Sequence, residues 1–203
     1  MISPDGSWLF VHIQKTGGGA VRSALGVERS DAHKHFLARE LRQTYGEAVW
    51  ASCFKFAFVR NPWDRLVSWW SMIDGARELS SATPRNRFAS YVLQRARNFE
   101  EFISCCTDEI VENDGRKHIF RNQIDYLVDS NGTVIVDFIG RFERLQAGFD
   151  EVTSRLGLPN ALLPRVNVSR HAHYTSYYTP AMAEEVSRRY ARDIERFGYG
   201  FGA

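Results

Sequence analysis

The chain has 203 residues, 44% of them hydrophobic, which suits a single domain over residues 1–203 that buries roughly two-thirds of its unfolded surface. A formal net charge of only +2 argues against nucleic acid as a partner, so any anion site must be local. No run approaches the roughly 20 apolar residues of a membrane span, and three cysteines with Cys105 and Cys106 adjacent make a poor disulfide framework, so the expected setting is the reducing cytoplasm.

Apolar runs of strand length occur at Ser7 to Ile13, Phe54 to Arg60 and Thr133 to Gly140, each followed by a helical pattern. That alternation predicts an α/β three-layer sandwich: a central parallel sheet covered by helices. After the first strand, a glycine-rich turn leads into a helix over Val21 to Leu25; Phe36, Leu37, Leu41 and Tyr45 then recur at helical spacing. The stretch from Asn86 to Leu127 reads as mostly helical, an insertion between two strands, with Asn98 and Glu101 as the N-cap and N3 residues of one helix. Phe149, Val152 and Leu156 form an apolar stripe that stops at Gly157. The last helix is expected to be capped by Thr179, with Pro180 first inside it and Ala183, Val186, Tyr190, Ile194 and Phe197 on one face before Gly198. The segment from Pro164 to Thr179 is the best candidate for a functional loop.

Two strand exits carry chemistry. The first strand runs into Lys15-Thr16-Gly17-Gly18-Gly19-Ala20, where a glycine-rich turn at a helix start offers backbone N–H groups to an anion. A tight turn that packs helix on strand explains the glycines equally well. The lysine precedes the glycines, so this is not the G-x-x-x-x-G-K-[ST] loop of nucleoside triphosphatases. At the second exit, Arg60-Asn61-Pro62 should end the strand and start a helix capped by Asn61. Trp63, Leu66, Val67 and Trp70 would form its apolar stripe, with Asp64, Ser68 and Ser71 opposite. Arg60 and Ser68 would then serve a ligand at the carboxyl edge of the sheet, where α/β proteins bind theirs.

The stretches FVHIQKTGGGAVRSAL and FKFAFVRNPWDRLVSWW resemble the two cofactor motifs of the sulfotransferases, in the carbohydrate-type branch with its K-T-G-G and V-R-N-P-x-x-R-L-V-S patterns. Phe138-Ile139-Gly140-Arg141-Phe142-Glu143 and the C-terminal HYTSYYTP through RYARDIERFGY are similar to further family segments. The resemblance implies a P-loop-like sulfotransferase fold with inserted helices and a site for 3′-phosphoadenosine 5′-phosphosulfate (PAPS), whose desulfated product is PAP. It implies that Lys15, Thr16, Gly17, Gly18, Gly19 and Ala20 wrap the 5′-phosphosulfate and that Arg60 and Ser68 hold the 3′-phosphate. Arg170, in the loop before His171, is a candidate to close over the nucleotide, and a solvated surface arginine explains it equally well. No metal is implied. Gly19 and Ala20 stand where the family commonly has hydroxyl residues, and Gln14 where a proline is frequent before the lysine.

The acceptor implied is a hydroxyl compound, foremost a saccharide, with a small non-sugar metabolite as the runner-up; a silent nucleotide-binding module of the same fold is the alternative outside catalysis. The resemblance puts the catalytic base at His35, beside Lys15 as the group serving the leaving phosphate; His33 is the main rival, and His12 is suspicious by position alone. The pairs His33/His35 and His171/His173 have no cysteine or carboxylate at a recognisable metal-ligand spacing. Trp69 and Tyr174 are candidates to stack on a sugar ring, although aromatic residues are more often core, as Trp70 is expected to be. Gln123 and Tyr126 resemble a family segment near the acceptor and equally fit an ordinary amphipathic helix.

Overall fold

The computed structural model describes residues 1–27, 33–78, 87–106, 121–164 and 172–203. Strands β1 (Trp8–Val11), β2 (Phe54–Val59) and β3 (Phe138–Arg141) alternate with helices α1 (Gly18–Ala24), α2 (Ala38–Tyr45), α3 (Glu47–Ser52), α4 (Pro62–Glu78), α5 (Arg87–Arg95), α6 (Phe99–Cys106), α7 (Leu145–Arg155), α8 (Pro180–Arg189) and α9 (Ala191–Phe197). Short 3₁₀ turns lie at Gln123–Tyr126, Phe142–Arg144 and Tyr174–Tyr177. The described residues form two compact units, Met1–Arg60 with Gln123–Val168, and Asn61–Asn122 with Ser169–Ala203.

The first unit is built on the sheet. All three strands run parallel in the order β1-β2-β3, with Phe10 opposite Phe56 and Phe58 opposite Gly140. Trp8, Phe10, Phe56 and Phe58 alternate onto one face and pack with Val21 of α1 and Phe149 and Val152 of α7. Leu9, Val11, Ala57 and Val59 alternate onto the other face and are also fully buried. Burial on both faces is what a parallel sheet requires and why its strands read as nearly continuous apolar runs. Gly140 has a steric reason to be glycine, since a Cβ there would lie 2.4 Å from the Phe58 ring.

The third strand starts later than its apolar run predicts. Asn131-Gly132 form a turn, Asp129 N–H donates to the Thr133 carbonyl and Ile135 N–H donates to that of Leu127, both at 2.9 Å, and Val134 bridges antiparallel to Val128. Residues 133–135 are thus committed to a small hairpin, and only Phe138–Arg141 join the sheet.

The second unit is helical, with a core that gathers Trp63, Leu66, Val67, Trp69, Trp70 and Ile73 of α4 with residues of α5, α6 and α8. On the side of α4 expected to be polar, Asp64 and Ser71 are partly exposed, while Ser68 is 3% exposed; Arg65, 1% exposed, is buried as well. Asn61 does cap it, its Oδ1 accepting from Trp63 N–H at 3.1 Å. The expected caps at Asn98, which accepts from Glu101 N–H at 2.9 Å, and at Thr179, which accepts from Met182 N–H at 3.3 Å, are also present. The last helix is two helices, because Tyr190, at φ −109° and ψ 26°, leaves the helical conformation between α8 and α9.

Candidate functional site

At the carboxyl end of β1 the chain makes the glycine-rich turn in a strained shape. Lys15 sits at φ +67°, a left-handed conformation that costs a side-chain-bearing residue roughly 1 kcal/mol or more. Thr16 has no exposed surface and donates its hydroxyl to the Ile13 carbonyl at 2.9 Å, which locks the turn. Gly17, at φ +82°, precedes α1, and Ala20 N–H closes the first turn onto the Gly17 carbonyl at 3.0 Å. A Cβ on Gly17 would lie 2.5 Å from Leu145, and one on Gly18 would lie 2.0 Å from His12 Nε2. The glycines therefore serve packing; the first amides of a helix also lack intrahelical acceptors, so the same turn presents donors.

Arg60, immediately after β2, is brought to this turn. Its Nη1 donates to the Lys15 carbonyl at 3.1 Å, and its guanidinium lies 3.9 Å from the centre of the Phe142 ring. Its backbone is clamped: Arg60 N–H donates to Gln123 Oε1 at 2.9 Å, and Gln123 Nε2 donates to the Arg60 carbonyl at 2.7 Å. Burial, and then the neighbouring Arg60 guanidinium, push the Lys15 ammonium down to about 8. The two side-chain cations thus repel one another, and a bound anion would relieve the repulsion.

The histidines lie beside the turn. His35 Nδ1 is 3.1 Å from the His12 carbonyl oxygen, and the rings are 4.7 Å apart. A carbonyl only accepts, so Nδ1 carries the proton and the neutral tautomer has its lone pair on Nε2, the arrangement a general base needs. His33 turns elsewhere, edge-on to Phe36 and with Nδ1 3.4 Å from the Tyr45 hydroxyl. The His33/His35 pair thus does not converge, and among the described residues no group of three histidine, cysteine, aspartate or glutamate side chains gathers to hold a metal. His12 is 7% exposed, and its Nδ1 meets no hydrogen-bond partner among the described residues. Burial, reinforced by the positive charges of Lys34 and Arg22, holds its imidazole well below the usual range, so the ring is neutral.

Gln123 and Tyr126 are fully engaged with the protein. Gln123 has no exposed surface and spends its amide on Arg60, while Tyr126, 1% exposed, donates its hydroxyl to Gln14 Oε1 at 2.9 Å. Both side chains thus brace residues next to the strand exits, Arg60 after β2 and Gln14 after β1. In the helical unit, Ser68 is buried on α4. Trp69 is 7% and Tyr174 6% exposed, and the Tyr174 hydroxyl accepts from Gly202 N–H at 2.7 Å. Both rings belong to the core of the helical unit, and little of either face is exposed. Arg170 and His171 lie outside the described residues. Sequence reasoning did not foresee the contacts of Phe142 with Arg60 or of Gln14 with Tyr126; Phe142 follows β3 just as Arg60 follows β2, and that shared position was the available signal.

Comparison with known proteins agrees with the motifs. The pattern of the Sulfotransferase family matches residues 1–200. An uncharacterized protein of Archaeoglobus fulgidus is 26% identical over 134 residues, covering 66% of this chain and 92% of that protein. No solved structure matches the chain.

Proposed function

The chain belongs to the sulfotransferase family, and from that premise we propose that it transfers the sulfuryl group of PAPS to a hydroxyl of a saccharide. Sulfuryl transfer is the family's general chemistry; the donor, the acceptor class and the residue roles are our reading. The observation that carries it is the docking of Arg60 on the glycine-rich turn, its Nη1 3.1 Å from the Lys15 backbone carbonyl, which brings a second cation within electrostatic reach of the Lys15 ammonium. A donor with phosphates at both the 3′ and 5′ positions of its ribose needs two separate cationic contacts, and the donor set fits it.

In this reading the acceptor oxygen attacks sulfur in line, the new oxygen–sulfur bond forms as the sulfur–oxygen bond to the 5′-phosphate breaks, and PAP departs with the bond's electron pair. The His35 Nε2 lone pair takes the acceptor proton, and the Lys15 ammonium offsets charge growing on the leaving phosphate. Backbone N–H groups from Thr16 to Gly19 line the 5′ end, and Ala20, whose N–H closes the first helical turn, stands beside them; the Thr16 hydroxyl, already donated to Ile13, sets the turn rather than the ligand. Arg60 holds the 3′-phosphate. The role of Ser68 at that phosphate rests on the motif resemblance alone, as does the preference for a saccharide; that of Arg170 over the nucleotide rests on its place in the loop before His171. Gln123 and Tyr126 position the strand exits.

The test is thermal stabilisation by PAP without magnesium, compared with ATP plus magnesium, followed by transfer from isotopically labelled PAPS to a panel of sugars, lipids and phenols. Stabilisation by PAP alone and label on a sugar are expected. Equal stabilisation by both nucleotides refutes the donor assignment, and tight PAP binding without transfer to any acceptor marks the silent module instead.

A further inference from the structure

Phe142 touches both halves of the cation pair's scaffold. Its ring carries the Arg60 guanidinium at 3.9 Å on one side. It also stands 3.2 Å from where a Gly17 Cβ would be, next to Leu145. The ring opens the 3₁₀ turn Phe142–Arg144 directly after β3, so the sheet's third strand fixes its place. An arginine has several rotatable bonds and, left alone, samples many positions; a planar guanidinium laid on a ring face in a partly dry setting is confined to that plane. The hydrogen bond from Nη1 to the Lys15 carbonyl then sets the rotation within the plane. One aromatic side chain thus aligns an element of the first strand exit with the cation of the second.

We infer that Phe142 is a positioning residue that makes the protein discriminate nucleotides bearing a 3′-phosphate from those lacking one. The inference rests on the proposed donor reading, because it assigns the 3′-phosphate to Arg60. Phe142 touches no ligand in this account. It acts by holding the Arg60 fork where two phosphate oxygens can be met together, and a mobile Arg60 would still attract anions but would lose the difference between one phosphate and two.

The experiment is calorimetric titration of adenosine 3′,5′-bisphosphate and of adenosine 5′-monophosphate into the wild-type protein, F142L and F142Y. F142L keeps apolar volume and removes the ring face; F142Y keeps the face. In the wild type the bisphosphate should bind more tightly. In F142L its affinity should fall by about 3- to 30-fold, the range of a partly desolvated cation–π contact, with the monophosphate little changed, so that the preference shrinks; F142Y should retain it. A purely structural role would lower both affinities together or neither. If F142L does not fold, F142M, flexible and of similar volume, is measured in its place with the same expectation. A preference that survives in the folded leucine or methionine variant overturns the inference while leaving the donor reading intact. A wild type that binds both nucleotides equally, or neither, overturns the donor reading and the inference with it.

Discussion

Replacing Gly18 by alanine isolates a single steric demand of the turn. Gly17 is constrained by its positive φ as well as by space, whereas Gly18 is not among the residues at positive φ, so its backbone tolerates a side chain and only the space is in question. The added Cβ would lie 2.0 Å from His12 Nε2, 2.1 Å from Cδ2 and 2.9 Å from Cε1, against ordinary carbon contacts of about 3.5–4.0 Å. Something must move by about 1.5 Å. The imidazole has little room to do so, since it stacks on Phe10 at 5.3 Å and meets the His35 ring at 4.7 Å. Overpacking of this kind typically costs about 1–3 kcal/mol, which in a chain of this size lowers the melting temperature by roughly 2 to 12 °C. The clash belongs to the pair, so the cycle of wild type, G18A, H12A and G18A/H12A is decisive. H12A has its own cavity cost, but G18A should be cheaper in that background by about 1 kcal/mol or more. Thermal or urea unfolding of the four proteins reads this directly. A wild-type melting temperature for G18A, or an equal cost in both backgrounds, would refute the packing argument.

Three further outcomes are expected. Anion binding needs the charged Lys15 ammonium, whose pKa is about 8, so affinity for PAP should fall as pH rises through 8, with proton uptake visible by calorimetry in buffers of different ionisation enthalpy; affinity that is flat from pH 7 to 9 contradicts this. The same depression means the unfolded state binds more protons between about 8 and 10.5, so the unliganded protein should gain stability across that window relative to K15A. H35A should lower kcat by roughly 10²- to 10⁴-fold with PAP affinity nearly constant, the wild-type rate should rise with pH as the imidazole loses its proton, and H33A should do far less. W69A should cost about 3–5 kcal/mol of stability rather than acceptor KM; a raised KM at unchanged melting temperature would restore the sugar-stacking role.

The elements legible in the sequence were those whose causes are local. Asn61-Pro62, Thr179-Pro180 and Asn98 with Glu101 each place a cap or a stop within a few residues, and the structure shows the corresponding bonds. The strand β2 was legible because burial on both faces leaves a continuous apolar run. Where an outcome depends on distant chain, the pattern misleads. Thr133 to Val136 reads as strand in isolation, yet Asp129 and the Asn131-Gly132 turn draw its start into a hairpin with Leu127 and Val128. Helical periodicity put Ser68 opposite the apolar stripe of α4 with Asp64 and Ser71, yet it alone of the three is buried, which periodicity does not foretell. The Gln123 amide is matched to the Arg60 backbone across 63 positions of sequence, and nothing in a polar residue of a helical-looking stretch announces such a partner. In the same way Trp69 and Tyr174 carry the chemistry of a sugar platform and the burial of a core, and only the fold decides between them.

The left-handed Lys15 has a consequence for how fast a ligand is captured. The turn already holds its unfavourable backbone angle, fastened by Thr16 to Ile13 and by Arg60 to the Lys15 carbonyl. A loop shaped before encounter leaves no slow rearrangement to follow contact. In stopped-flow mixing with a fluorescent bisphosphate nucleotide the encounter phase should therefore climb linearly with ligand concentration, with no levelling off set by rearrangement of this turn.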